Sequence, residues 1–148
     1  EMVDRWIHGL ITQVTSQPVD VRIEEWLHRE CPGLRQQQRR SLRTETRTIT
    51  ASLSPDVKRT SPPTVFRRSS ALNYAYLDRI GGIMGRSFES KFRRNPKVVM
   101  LGRSVSRILA DTNDSDKKVV ERCAKAIQVQ RWFIWIGFED TPQSYYVK

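Results

Sequence analysis

Apolar residues recur at steps of three and four in several stretches of the chain, and such steps predict amphipathic helices. The longest predicted helix runs from Ser69 to Arg94, and its apolar face consists of Leu72, Tyr76, Ile80, Ile83, Met84 and Phe88. Ser69 or Ser70 provides an N-cap for this helix. Asn95 and Pro96 end it, because the residue before a proline is pushed out of the α region. This helix is the predicted centre of the fold.

Three further helices are predicted around Pro18 and the Pro32-Gly33 turn. Residues 4–15 form a short first helix that ends at Pro18, and a second begins at Asp20 and stops before Pro32. We expect these two to pack as an antiparallel hairpin. A third covers residues 34–50 and carries only a thin apolar line, with Arg39, Arg43 and Arg47 on one face.

The remaining segments have weaker patterns. Residues 51–68 contain three prolines and no periodicity, which predicts a loop. Residues 97–101 are a short apolar run and predict a small strand. A second major helix is predicted over 115–131, preceded by capping residues. The segment RWFIWIGF at 131–138 fits either helix or strand, and residues 139–148 are predicted to form a C-terminal arm.

Length and composition favour a single domain. A chain of 148 residues with 38% hydrophobic content can bury an ordinary core. We therefore predict a mainly α single domain over 1–148, an up-down four-helix-bundle-like fold with irregular loops and room for one small β element. There is no apolar run long enough for a membrane span, and the start of the chain lacks the pattern of a signal peptide. Cys31 and Cys123 are too few for a disulfide framework. A soluble intracellular protein is expected.

The positive charge is concentrated in the middle of the chain. The formal net charge is +10, and residues 35–107 hold seventeen basic and four acidic side chains. Nineteen of the 26 basic residues are arginine, whose planar fork binds phosphate bidentately. This balance predicts that residues 35–107 face nucleic acid, with an anionic membrane surface as the weaker alternative.

Motifs of catalysis are missing from the sequence. There is no Walker phosphate loop, no GxSxG elbow, no HExxH and no paired CxxC. Gly81-Gly82-x-x-Gly85 falls inside the predicted central helix, where close packing explains it better than phosphate binding. His8 and His28 are expected to be ordinary side chains, and the carboxylates of 111–116 are explained by helix capping. We predict a non-enzyme without cofactor or metal.

Four segments resemble the coat proteins of rod-shaped helical plant RNA viruses, the tobacco-mosaic-like family. They are LRQQQRRSLR at 34–43, TVFRR at 64–68, the stretch from Ala71 to Arg94, and DTNDSDKKVVERCAKAIQ at 111–128. The resemblance implies an up-down four-helix bundle with RNA held between subunits, in the virion and in the host cytoplasm. It also implies that RNA phosphates are held by Arg39, Arg40 or Arg43, then by Lys91, Arg93 and Arg94, and that Asp116 lies near the RNA.

These observations together predict a viral coat or nucleocapsid protein that binds single-stranded RNA by its phosphate backbone and polymerises along it. Arg67 and Arg68 join the predicted contacts because they stand where the proline-rich loop meets the central helix. The predicted RNA-binding residues are Arg39, Arg40, Arg43, Arg67, Arg68, Lys91, Arg93, Arg94 and Asp116. Two alternatives remain: a non-polymerising regulator, either a helix-turn-helix DNA binder or an RNA silencing suppressor, and a membrane-associated viral matrix protein.

Overall fold

The computed structural model describes residues 2–136 and is mainly helical, with no β-strand in that range. Two short 3-10 helices, Pro32–Leu34 and Glu89–Lys91, lie in connections. The α-helices are α1 (Met2–Glu30), α2 (Arg35–Ala51), α3 (Pro55–Thr60), α4 (Pro63–Met84), α5 (Pro96–Leu109) and α6 (Asp116–Ala126).

The first element is one continuous helix, so the predicted break at Pro18 and the predicted hairpin within residues 4–31 are wrong. Pro18 is itself buried, in line with Leu10, Val14 and Val21 at helical spacing. A proline inside a helix costs about 3 kcal/mol. Burying each large apolar side chain of this stripe returns about 1.5–3 kcal/mol. Tertiary packing therefore keeps α1 intact through Pro18.

The helix predicted over 34–50 is confirmed as α2, which turns back along α1 after Pro32–Leu34. The side chain of Gln38 donates to the carbonyl of Glu24, and Arg35 donates to the carbonyl of His28. The hairpin of this fold is thus formed by α1 and α2.

The central helix α4 is confirmed in its core but shifted in its bounds. Part of the segment predicted as a loop over 51–68 is helical, because Ser54 caps α3 and Pro63 starts α4. α4 ends at Met84, ten residues before the predicted end at Arg94. Gly85 stops it in the left-handed conformation, with φ of 65°, which glycine adopts without strain.

The chain then folds back against α4. The N–H of Arg86 donates to the carbonyl of Gly81 at 3.0 Å, and Phe88 is buried although it lies outside the helix. A Cβ added to Gly81 would lie 2.6 Å from the Arg86 carbonyl oxygen. The packing role predicted for the glycine motif is therefore confirmed at Gly81, whereas a Cβ at Gly82 would meet nothing within 4 Å.

Residues 97–101 belong to α5, so the predicted strand is wrong. Pro96 occupies the first turn, and the side chain of Asn95 accepts from the N–H of Val98 at 3.4 Å. Val98, Val105 and Leu109 are buried at helical spacing. A five-residue apolar run cannot show this period, which emerges only over the longer segment.

The predicted second major helix is confirmed as α6, which is shorter than expected. Ser115 caps it by accepting from the N–H of Lys118 at 3.4 Å. It ends at Ala126, before the predicted end at Arg131, and Gln128 follows with a φ of 61°. Residues 133–136 are neither helix nor strand. The rest of RWFIWIGF and the arm predicted for 139–148 lie outside the described residues.

Helix directions do not confirm an up-down four-helix bundle. α1 and α4 run in the same direction, since Gln13 bonds to Asn73 and Arg79 bonds to Glu25. α4 and α5 also run in the same direction, because the chain returns along α4 before α5 begins. α2 runs opposite to α1, and α6 packs on α1 and α5. Within residues 2–136, no helix combines the length and apolar content that crossing a membrane requires.

Candidate nucleic-acid interface

The inner face of α2 fixes which of its side chains point outward. Leu42, Thr46 and Ile49 are buried against the rest of the fold. Gln38 is also buried, and its side-chain amide donates to both the carbonyl and the carboxylate of Glu24, at 2.7 Å each. These contacts orient the helix so that the intervening arginines face solvent.

A second polar contact joins α2 to the central helix. The hydroxyl of Tyr76 donates to Glu45 Oε2 at 2.5 Å. Burial raises the pKa of Glu45, with the hydrogen bond from Tyr76 acting in the opposite direction. Glu45 is the one acidic residue of α2. Because this carboxylate is directed inward, it leaves the outer face of the helix without negative charge.

Arg39, Arg40, Arg43 and Arg47 are exposed on that outer face. Among the residues that the structure describes, their side chains form no hydrogen bond and no ion pair. Arg39 and Arg43, and Arg43 and Arg47, are spaced four residues apart. Like charges at this spacing destabilise a helix by about 0.2–0.5 kcal/mol per pair. The fold therefore carries unfavourable charge repulsion that an anion would relieve.

Two clefts lie along these arginines. The first, of about 530 Å³, is lined by Arg35, Arg39, Arg40 and Arg43 beside Pro32 and Gly33. The second, of about 710 Å³, is lined by Arg43, Arg47, Arg86 and Lys91 beside Thr46 and Thr50. Arg43 borders both clefts, and neither has a carboxylate in its lining.

We call this surface the cationic face and define it by the basic side chains of the two clefts. They are Arg35, Arg39, Arg40, Arg43, Arg47, Arg86 and Lys91. Arg35 to Arg47 spans about 18 Å along the helix axis at 1.5 Å per residue. The surface is thus long enough for several successive phosphates of a nucleic-acid strand.

The structure brings four of the predicted site residues together on the cationic face: Arg39, Arg40, Arg43 and Lys91. Arg93 instead lines a separate depression of about 500 Å³ with Arg103 and Arg107. Arg94 is exposed in the turn before Asn95.

The remaining predicted residues have other surroundings. Arg67 is exposed early in α4, and Arg68 is partly buried with its guanidinium 4.8 Å from the ring centre of Trp132. Burial lowers the pKa of Arg68, and the charge of Arg67 adds to this effect. Asp116 Oδ1 forms an ion pair with Arg22 Nη1 at 2.8 Å, between α6 and α1. These three are not part of the cationic face.

Arg35, Arg47 and Arg86 belong to the cationic face but not to the predicted site. The spacing of Arg39, Arg43 and Arg47 contains the signal for Arg47. Arg86 has no such signal, because it reaches α2 only through the turn at Gly85. Within the described part of the chain, no cluster of histidine, cysteine and acidic residues could hold a metal ion.

Comparisons with protein-family models, with curated proteins and with solved structures find no match to this chain.

Proposed function

We propose that this protein binds single-stranded RNA through its phosphate backbone and self-associates along it, as a viral coat or nucleocapsid protein. The observation that carries the proposal is the cationic face, where unpaired arginines line two clefts that meet at Arg43. The resemblance to tobacco-mosaic-like coat proteins contributes the coat-protein role, the virion and host-cytoplasm location and the absence of catalysis to this proposal. The up-down bundle that the resemblance implies is not part of it, because α1, α4 and α5 run in the same direction.

The chemistry of the cationic face favours phosphate over other anions. Arginine presents a planar fork of donors that fits a phosphate bidentately. A row of such side chains without carboxylates attracts a polyanion more strongly than a single small anion, because each neutralised phosphate releases counterions. A sequence-tolerant contact to one strand follows, since arginines along a cleft hold the backbone and leave most bases unread.

Self-association is supported by large apolar side chains that remain exposed. Ile23 and Trp26, three residues apart on α1, are 48% and 50% exposed, and Met100 on α5 is 63% exposed. Ile134, Trp135 and Ile136 are exposed as well. Of these side chains, Ile23 and Trp26 lie one turn apart on α1, and adjoining exposed apolar side chains are what a protein–protein contact would cover.

Affinity for a single-stranded oligo(U) RNA, measured by fluorescence anisotropy, tests the phosphate contacts. Engaging four to seven phosphates should lower the affinity roughly 50-fold to 900-fold between 50 and 200 mM salt, from a slope of about −0.7 per phosphate. Arg43→Glu with Arg47→Glu should weaken binding at least about 100-fold, since each of the two lost charge-assisted bonds contributes about 1.5–3 kcal/mol. The matched control is Lys58→Glu with Lys125→Glu, which lowers the net charge equally on exposed positions away from both clefts.

The control pair should retain most of its affinity. Arg93→Glu with Arg94→Glu is the third arm, and we expect a smaller loss than for the pair on α2. An affinity that barely changes with salt, or equal losses in the α2 and control pairs, would overturn the proposal.

Polymerisation along RNA is tested by a separate measurement. Negative-stain electron microscopy of nuclease-treated protein should show rods or rings that lengthen when single-stranded RNA is added. Dispersed small particles in both samples, with a preference for duplex, would instead favour the regulator. Sedimentation with anionic liposomes in the absence of RNA would favour the matrix protein.

A further inference from the structure

A cavity of about 390 Å³ lies next to the cationic face, between the C-terminal half of α4 and the returning segment 86–92. Arg86 and Phe88 line both this cavity and the second cleft. The cavity and the second cleft are therefore neighbours on either side of these two residues. We call it the Gly81 cavity, after the glycine that allows the returning segment to approach α4.

Three aromatic residues, Tyr74, Phe88 and Phe92, are among the eleven that line the Gly81 cavity. Phe92 packs edge-on against Tyr74, with ring centres 5.2 Å apart, and Phe88 is buried beside Gly81. The guanidinium of Arg86 lies 4.7 Å from the centre of the Phe88 ring. The three rings are buried, so the group on which a nucleic-acid base can stack here is the plane of the exposed Arg86 side chain.

Two carboxylates also line the cavity. Asp78 Oδ2 accepts a hydrogen bond from the Ser106 hydroxyl at 2.5 Å, and Glu89 Oε1 accepts from Arg103 at 2.7 Å. Within residues 2–136, the second oxygen of each carboxylate has no hydrogen-bond donor. An ionised carboxylate only accepts hydrogen bonds, so a ligand in this cavity is favoured if it presents N–H groups.

We propose that the Gly81 cavity receives one base of the bound RNA, and that it favours a base with an exocyclic amino group. The inference rests on the proposed function: the phosphate next to this base lies in the second cleft, against Arg43, Arg47 and Lys91. Carboxylates accept from the amino group of cytosine. Uracil presents an oxygen at the same position, which the carboxylates repel. The site therefore adds a base preference to an otherwise sequence-tolerant contact.

Oligo(C) and oligo(U) of equal length are the probes, because the two pyrimidines are similar in size and differ at this position. The wild-type protein should bind oligo(C) roughly 10-fold more tightly, within the range expected for a base-edge contact. Gly82→Leu should fill the cavity, and the absence of any atom within 4 Å of an added Cβ allows the fold to accept it. This variant should lose the oligo(C) preference and keep its oligo(U) affinity.

The matched control is Gly9→Leu, another helical glycine where an added Cβ meets nothing within 4 Å. It should leave both affinities unchanged. Asp78→Asn, which keeps the side chain's size and removes its charge, is the second test and should reduce the preference without filling the cavity. Thermal melts of all variants check that the fold is retained.

The outcomes separate the two proposals. Equal affinity for oligo(C) and oligo(U), or a preference that survives both Gly82→Leu and Asp78→Asn, would overturn the base site and leave phosphate binding standing. Failure of the wild-type protein to bind either oligomer would overturn both proposals.

Discussion

Arginines in two regions of the molecule have opposite surroundings. On the cationic face, Arg39, Arg40, Arg43 and Arg47 have no carboxylate partner among the described residues. Elsewhere Arg22, Arg79 and Arg122 form ion pairs with Asp116, Glu25 and Asp111. The first two pairs join α1 to α6 and to α4, and the third joins α6 to the segment that precedes it. We call these three the paired arginines. The same side chain thus stabilises the fold in one region and remains available to a ligand in the other.

One of the paired arginines, Arg122, also lowers the pKa of two neighbouring carboxyls. The pKa of Asp111 is lowered chiefly by the hydrogen bond from Arg122. The pKa of Asp114 is lowered first by Lys118 and then by Arg122. The outer face of α2 carries no carboxyl group on which an arginine could act in this way. A count of arginines therefore says little about function until the neighbouring carboxylates have been located.

Removing a paired arginine should have the largest effect on stability. Arg79 donates to Glu25 at 2.5 and 2.7 Å, and their side chains are only 29% and 22% exposed. Arg79→Met should lower the free energy of unfolding by about 1–2 kcal/mol, because it leaves Glu25 partly buried without its partner, a penalty reduced by residual solvent. The Tm should fall by about 3–6 °C, with oligo(U) affinity within about 2-fold of wild type.

Arg59→Met provides the control, since Arg59 and Asp56 are 79% and 83% exposed and form an ion pair of little consequence. Calorimetry should place its Tm close to that of wild type. Equal Tm shifts for Arg79→Met and Arg59→Met would show that a partly buried ion pair stabilises this fold no more than an exposed one.

The second prediction uses pH. Arg122→Gln removes the donor that lowers the pKa of Asp111 and contributes to lowering that of Asp114, both below the ordinary value of 3.8. A carboxyl with a lowered pKa in the folded state adds stability above its ordinary pKa and loses it as pH falls through the folded value. The Tm difference between wild type and Arg122→Gln should therefore be full at pH 7 and 5, and should shrink below 3.8. A difference that stays constant down to pH 2.5 would contradict this account.

Neutralising the cationic face should have the smallest effect on stability, and in the opposite direction. Arg39→Gln with Arg43→Gln relieves like-charge repulsion at spacing four along α2. The Tm should rise by about 1–3 °C, from about 0.5–1 kcal/mol, while RNA affinity falls. A drop in Tm would mean that these arginines support the fold rather than a ligand.

Local signals predicted several elements correctly. Leu42 and Ile49 with Gln38 mark the buried face of α2, and the same period places the arginines opposite. The Ser115 cap is equally local, since a serine before a charged first turn needs no distant partner. Part of the candidate site could be predicted in the same way, because Arg39, Arg40 and Arg43 all lie on this one predicted helix.

The predictions that were wrong concern features that depend on packing between residues far apart in the sequence. The local sequence at Pro18 predicts the end of a helix. Burial of Pro18 together with Leu10, Val14 and Val21 against other helices keeps α1 continuous. Val98 lies in a run too short to reveal its period. Arg86 and Lys91 both fall on the single long helix predicted from Ser69 to Arg94, whereas Gly85 turns the chain back so that both residues line the second cleft beside α2.

The amino-acid sequence by itself determined the helical class, the position of α2 and the concentration of positive charge in residues 35–107, because periodicity and composition are local properties. Only the tertiary structure decided which arginines are paired and which line the clefts. Pairing depends on where Glu25, Asp111 and Asp116 lie in space. The two charged groups of an ion pair lie within about 4 Å of each other, and residues far apart in the sequence come that close only when the chain folds.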